Sequence, residues 1–417
     1  AGTGIGGGIR DILGAGLGAK PVLNTDIFCV GEFGKTRNPE DPKHLSPERI
    51  LPGVISGVRD YGNRMGIPTV NGAVLFHDGY RYNPLVFCGT AGIIPNDAIR
   101  KKVMPGDLIV SIGGRTGRDG IHGATFSSAA LDEEVPSSVV QIGNAIVEKK
   151  VCDLQLRARD EKLYSSVTDC GAGGFSSAIG ELASETGASV HLEKAPLKYA
   201  DLAPWEIWLS ESQERMVFSV PAKNLARFKE LCDIENVECA VMGVFENSGR
   251  LKVFYQNEKV CDLDLQFLHK GIPRVKKKAL WNMKPFAAPA QIRFSVPQCE
   301  KTLKQLLSHP NIASKKWIVR QYDHEVQGGS IIKPLTGINQ DGHSDACVVR
   351  PALDSWKGLA VSNGVNPFYG ELDPYWMSAN AIDEALRNIV SVGGDIDQCA
   401  ILDNFCWGNT NDPEIMG

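Results

Sequence analysis

No apolar run in the 417-residue chain approaches the length that crosses a bilayer. Ala1-Gly2-Thr3-Gly4 has nothing of a secretory signal. Both absences predict a cytosolic (cytoplasmic) protein with no membrane partner. The eleven cysteines contain no Cys-x-x-Cys pair, and several close apolar strand-like runs, as in Leu85-Val86-Phe87-Cys88. That argues against disulfide and zinc frameworks and for buried free thiols. The eight histidines are scattered without metal-ligand spacing, which leaves zinc chemistry without a site. A net charge of -5 gives no general attraction for nucleic acid, so none is expected as a partner. The one basic cluster, Arg274 to Lys278 with Lys284, reads as a solvated linker face.

What is present is glycine, 44 residues of it, in a chain long enough for several domains. The densest use follows Ser165-Ser166-Val167-Thr168-Asp169, where Cys170-Gly171-Ala172-Gly173-Gly174-Phe175 leads into a helix-like run from Ser176 to Ser184. The pattern predicts strand, tight turn, helix. A helix N-terminus preceded by glycines offers unpaired amides to a phosphate, and an Asp at the strand end can share a divalent cation with it. An ordinary strand-to-helix connection capped by Asp is the competing reading.

The beginning of the chain invites a different template. Gly2, Gly4 and Gly7 satisfy G-x-G-x-x-G, and Asp26 follows Gly7 by 19 positions, as a dinucleotide site asks. No strand precedes the glycines, so a nicotinamide dehydrogenase rests on this spacing alone. A duplication explains the segment better. Ile9-Arg10-Asp11-Ile12-Leu13 matches Leu386-Arg387-Asn388-Ile389-Val390, and Asp26-Ile27-Phe28-Cys29-Val30-Gly31 matches Asp403-Asn404-Phe405-Cys406-Trp407-Gly408, both at an offset of 377, which also pairs Gly16 with Gly393. A helix followed by a strand-like segment therefore occurs twice. Two related domains can pack as a pseudo-dimer with sites in the cleft between them. The second copy stops soon after Asp403 whereas the first runs on, so the chain is expected to be truncated at both ends.

Between the copies, Ser46-Pro47-Glu48 predicts a helix start with proline in the first turn, running towards Tyr61 with Pro52 inside. Strand-like runs follow at Ile67–Phe76 and Pro84–Ile94, and Leu108–Ile112 reads as a buried strand. The next segment, Gly113–Ser128, carries Arg115, Arg118, Asp119 and His122 among glycines. Such a loop costs much backbone entropy to order, which favours an anionic ligand within it over a surface ion pair. Further on, Trp205–Leu209 and Arg215–Val220 flank the polar triplet Glu211-Ser212-Gln213, either a solvated turn or a recognition edge. Ala222–Cys232 reads as a helix and Ala240–Phe245 as a strand.

Three of these motifs, Thr116-Gly117-Arg118-Asp119-Gly120-Ile121-His122-Gly123-Ala124, Asp169-Cys170-Gly171-Ala172-Gly173-Gly174 and Ser210-Glu211-Ser212-Gln213-Glu214-Arg215-Met216, together resemble phosphoribosylformylglycinamidine synthase, the amidotransferase of purine synthesis. The resemblance covers essentially the whole chain in order. It implies an α/β (α+β) protein of tandem duplicated synthetase halves, each a sheet domain that pairs with its counterpart plus a flanking αβ domain. The expected units are a partial first sheet domain at 1–105, a flanking domain at 106–256, a connector at 257–310 and a partial second sheet domain at 311–417. The implied reaction uses ATP to phosphorylate the amide oxygen of formylglycinamide ribonucleotide, which ammonia from a glutaminase domain or subunit then displaces. Moving a phosphoryl group onto an amide oxygen calls for magnesium (Mg2+) and for groups that align the partners. By motif position, Asp11 and Asp169 resemble metal ligands. Arg10, Gln141, Glu211, Ser212 and Gln213 resemble substrate contacts, and Asp403 an ATP-site residue. On local spacing alone Arg10 and Asp11 could be an exposed ion pair and Gln141 a polar strand end. The family's His-Asn-His-Pro and Gly-Asn-x-Ser segments are missing, so the chain as it stands is expected to lack the catalytic histidine; a non-catalytic nucleotide-binding module is the reading from another class.

Overall fold

Helix α1 (Gly2–Gly14) forms despite its glycines, each of which disfavours a helix by about 1 kcal/mol relative to alanine. Tertiary contacts offset that cost. Ile5, Ile9 and Leu13 recur at helical spacing and are fully buried, each side chain contributing about 1.5–3 kcal/mol. Gly6 is needed for a close approach: a Cβ there would lie 2.7 Å from Cζ of Tyr61.

A computed structural model describes residues 1–34, 45–123, 140–282, 293, 295–405 and 407–417. Ala124–Ser128 of the glycine-dense loop, Lys284 and Cys406 lie outside them. After α1, strand β1 (Lys20–Val30) pairs in parallel with β2 (Thr69–Phe76) and antiparallel with β3 (Leu85–Ile93). Helix α2 (Pro47–Met65) connects β1 to β2 and begins as expected, with Ser46 at the N-cap and proline in the first turn; Gly66 in the left-handed conformation ends it.

The second unit is a seven-stranded sheet in the order β10-β9-β6-β8-β4-β7-β5. Its strands are β4 (Leu108–Gly113), β5 (Ser166–Asp169), β6 (Ala188–His191), β7 (Arg215–Val220), β8 (Cys239–Phe245), β9 (Arg250–Tyr255) and β10 (Glu258–Asp264). Helices α3 (Ala145–Asp160) and α6 (Leu225–Ile234) cover one face; α4 (Phe175–Leu182), α5 (Pro204–Leu209) and α7 (Leu265–Lys270) cover the other. β4 and β7 are sandwiched between these layers, which is why both read as almost continuous apolar runs. The span 257–310 is not a connector throughout, because β10 pairs with β9 at the sheet edge and α7 follows. Irregular, exposed chain begins at 271 and includes Arg274–Lys278; α8 (Val296–Ser308) has no buried residue.

Beyond it lie β11 (Ser330–Ile332), a small hairpin of β12 (Leu335–Thr336) and β13 (Gly342–His343), then β14 (Ala346–Val349) and β15 (Leu359–Ser362). β11, β14 and β15 make an antiparallel sheet on which helix α9 (Pro374–Ser391) packs. Cys347 and Val349 of β14 share a buried cluster with Val22, Leu23 and Val70, so the two small sheets meet face to face. The duplicated helix is thus present as α1 and α9. The duplicated strand is not: Asp26 lies inside β1, whereas 401–405 take no regular structure. β1 is held by a partner on each side, and 401–405 pair with no strand among the described residues.

Candidate active-site cleft

Helix α1 lies between α2, α3 and β5, so the first sheet domain and the flanking domain share one core along it. Where they meet, a cleft of about 1030 Å³ opens. Six of the expected site residues line it: Arg10, Asp11, Gln141, Asp169, Glu211 and Gln213. They come from α1, the segment before α3, the end of β5 and the turn before β7, and share no common stretch of sequence.

Arg10 and Asp11 face different neighbours. Arg10 is only 2% exposed, donating from Nη1 to Glu148 Oε2 at 2.6 Å and from Nη2 to Gln213 Oε1. Burial opposes its charge, but Glu148, Tyr61 and Glu214 outweigh burial and hold its pKa above the ordinary value. Asp11 lines the cleft together with Asp169 and feels its charge. Burial raises the Asp11 carboxyl above its usual range, and the Asp169 charge raises it further. Burial also raises Asp169, with Arg10 and then Lys101 working against the shift. A buried carboxyl whose ionisation a neighbouring carboxylate disfavours is an arrangement that a hard divalent cation relieves. Among the described residues no three His, Cys, Asp or Glu side chains gather into an all-protein cage. Magnesium does not need one, since one or two carboxylates with water and phosphate oxygens satisfy it. The donor set fits.

The turn after Asp169 is strand, glycines and helix, as the sequence implies, but its amides are not all free for a phosphate. Gly171 and Ala172 line the cleft. Gly173 donates its N–H to Glu211 Oε1 at 3.2 Å. Gly174, at φ 58°, is pressed so close that a Cβ would lie 1.9 Å from the Ser210 carbonyl oxygen. Fully buried Arg215 donates to the carbonyls of Ser210 and Ser212 and to Thr116 Oγ1, with its guanidinium 4.4 Å over the Phe175 ring. The start of α4 is therefore braced mainly by the protein.

Gln141 donates to Glu211 Oε2 at 2.9 Å, tying two walls of the cleft. Ser212 is placed differently. Its hydroxyl is buried, accepts the Gly117 N–H at 2.9 Å and donates to Asp119 Oδ1 at 3.0 Å, so it holds the 113–123 loop and does not line the cleft. Asp403 is exposed and does not line it either, although its neighbour Asn404 does.

The expectation of an anionic ligand within the glycine-dense loop finds its charges already engaged. Arg115 pairs with Glu238 at 2.7 Å, Arg118 with Glu206 at 2.7 Å, and Asp119 with Lys198 at 2.9 Å. Of the loop's described residues only Gly123 reaches the cleft. The dinucleotide template fails on geometry: Gly2, Gly4 and Gly7 lie within α1, and Asp26 is buried in the sheet.

Sequence reasoning missed Tyr61, Glu148 and Glu214, which surround Arg10. The Tyr61 hydroxyl lies 2.7 Å from Glu148 Oε2 and 2.8 Å from Glu214 Oε1. One signal was available. Ala145, Glu148, Cys152 and Gln155 follow helical spacing on one stripe of α3, which puts two polar residues on a buried face.

The architecture is that of a two-domain AIR synthase related protein. The model for the N-terminal domain of those proteins matches residues 1–94 and 343–416, and the C-terminal model matches 104–256. Over its whole length the chain is 40% identical to phosphoribosylformylglycinamidine synthase subunit PurL of Picrophilus torridus and covers 55% of that protein. A T. maritima PurL structure complexed with FGAR superposes with a TM-score of 0.73 at 30% identity, over 94% of this chain and 58% of that one. The T. maritima PurL structure complexed with ATP gives 0.69 at 27% identity, over 94% and 56%. The chain belongs to the AIR synthase related proteins, whose N- and C-terminal models together match most of it. It spans about half the length of the curated relatives it matches.

Proposed function

We propose that the chain is the synthetase part of an enzyme that converts formylglycinamide ribonucleotide to formylglycinamidine ribonucleotide, using ATP and glutamine-derived ammonia, in purine biosynthesis. The observation that carries this reading is that Asp11 and Asp169 line one cleft beside Arg10, with the Asp169 charge acting on Asp11. It is supported by relatives named for that reaction and by similar structures complexed with FGAR and with ATP.

On this reading Asp11 and Asp169 hold magnesium, which supplies charge neutralisation on the phosphate oxygens. Arg10 presents a guanidinium to the ribonucleotide from a site that excludes water, where a charged hydrogen bond is stronger than in solvent. Gln213 and Glu148 fix its orientation by hydrogen bonds. The Gln141–Glu211 bond sets the opposite polar wall, and Gly171 and Ala172 leave space beside Asp169. Ser212 serves the site indirectly by securing the loop above it. Asp403 is assigned to the ATP site and ammonia delivery to a glutaminase domain or subunit.

In the intact protein, Asp169→Asn is expected to abolish magnesium-dependent ATP turnover while circular dichroism shows the fold intact. Turnover that survives with unchanged magnesium dependence would overturn the metal assignment.

A further inference from the structure

Tyr61 stands at the cleft wall with its hydroxyl within hydrogen-bond distance of two carboxyls, 2.7 Å from Glu148 and 2.8 Å from Glu214. A phenol carries one hydrogen, and an ionised carboxylate only accepts. Both contacts are hydrogen bonds only if Tyr61 donates to one glutamate and accepts from the other, which must then be protonated. The charge count agrees. Arg10 donates to Glu148 at 2.6 Å, so the buried set contains one cation and two acids. One proton makes it neutral, whereas two ionised carboxylates would leave an uncompensated charge out of water. Glu148 is fully buried, and burial, opposed by Arg10, pushes its carboxyl up to about 7. Glu214 is also buried, and its Oε1 accepts the Asn144 N–H at 2.8 Å at the start of α3.

We propose that Glu148, Tyr61 and Glu214 form one hydrogen-bonded unit with a single shared proton, and that this unit is the positioning support of Arg10 at the cleft wall. It joins α1, α2, α3 and the 211–214 turn, the elements that frame the cleft. With the proton in place the carboxyls do not outweigh the guanidinium, and the site keeps its attraction for a phosphate-bearing ligand. Without the unit, Arg10 keeps only Gln213 as a side-chain hydrogen-bond partner among the described residues. The positioning role rests on the function proposed above; the shared proton does not.

Two measurements on the intact protein separate these claims. Infrared difference spectra at neutral pH compare wild type with Glu148→Gln and Glu214→Gln. A protonated carboxyl has a C=O stretch distinct from carboxylate bands, and other buried carboxyls cancel in the difference. The wild-type band is expected to vanish in each variant; a band absent from wild type, or surviving in both variants, overturns the shared proton. Steady-state kinetics then read Arg10: Glu148→Gln is expected to raise KM for formylglycinamide ribonucleotide about tenfold with a smaller change in kcat. An unchanged KM with the band lost overturns the positioning role. If wild type shows the band yet no turnover of this ribonucleotide, the proposed function fails and the shared proton stands. Should Glu148→Gln not fold, Tyr61→Phe replaces it: breaking the bridge must shift the band, and an unshifted band overturns the proposal.

Discussion

Replacing Asp26 by asparagine should change how stability depends on pH, and the structure fixes the sign. Asp26 lies within β1, opposite Gly72 of β2 and Cys88 of β3, and is 5% exposed. Neither carboxylate oxygen has a partner at hydrogen-bond geometry among the described residues. Burial pushes its pKa up from 3.8 to about 7, with nearby Cys88 and Thr69 offsetting part of the shift. Because the folded value lies above the unfolded one, the unfolded chain releases its proton first as pH rises. The contribution of Asp26 to stability is therefore fully present below about pH 4, declines between about 4 and 7, and is lost above that. At 1.36 kcal/mol per unit, a shift of about three units corresponds to a change on the order of 4 kcal/mol. Asp26→Asn cannot ionise, so its unfolding free energy minus that of wild type should rise by a few kcal/mol across this window and then level off. Urea unfolding followed by circular dichroism at a series of pH values measures the difference, in which Glu148, titrating in the same range, cancels. Two curves that stay parallel from about pH 4 to pH 7 would refute a buried, uncompensated carboxyl at this position.

The same residue shows where reading the sequence stops. Asp26 and the glycines of α1 matched a spacing rule, but the rule is about a strand and a turn, and spacing alone cannot show that Ile5, Ile9 and Leu13 make a helix by burying themselves on α2 and α3. Other parts were legible because local chemistry decides them. Ser46 and Pro47 start α2, Gly66 ends it, and β4 and β7 are apolar on both faces because helices cover both. Asp169 was legible as a strand-end carboxylate before glycines; that Asp11 lines the same cleft has no signal in local spacing, since 158 positions separate them. The strand at Glu258–Asp264 escaped because an edge strand with exposed polar side chains has no buried face to impose an alternating pattern. Arg115 and Arg118 misled for a related reason. Composition counts charges, whereas only the fold shows that Glu238 and Glu206 already meet them.

Two further substitutions test the packing that holds the cleft open. Gly6→Ala gains about 1 kcal/mol of helix propensity, but its Cβ would lie 2.7 Å from Tyr61 Cζ and 2.8 Å from its oxygen. Overpacking of that kind costs about 1–3 kcal/mol, so a lower urea midpoint is expected, and a higher one would show that Tyr61 moves freely. Arg215→Lys tests the brace behind the Asp169 loop. The guanidinium reaches the Ser210 and Ser212 carbonyls and Thr116 Oγ1 together while lying over Phe175, and no ammonium on a flexible stem reproduces that planar fork. Losing two such charged bonds at about 1.5 kcal/mol each predicts a destabilisation of about 3 kcal/mol, with hydrogen exchange rising at residues 171–175 before the rest of the sheet. That order matters, because Arg215 bonds to the Ser210 carbonyl against which Gly174 sits. Uniform exchange across the domain would mean that Arg215 stabilises the core and leaves the cleft wall to other contacts.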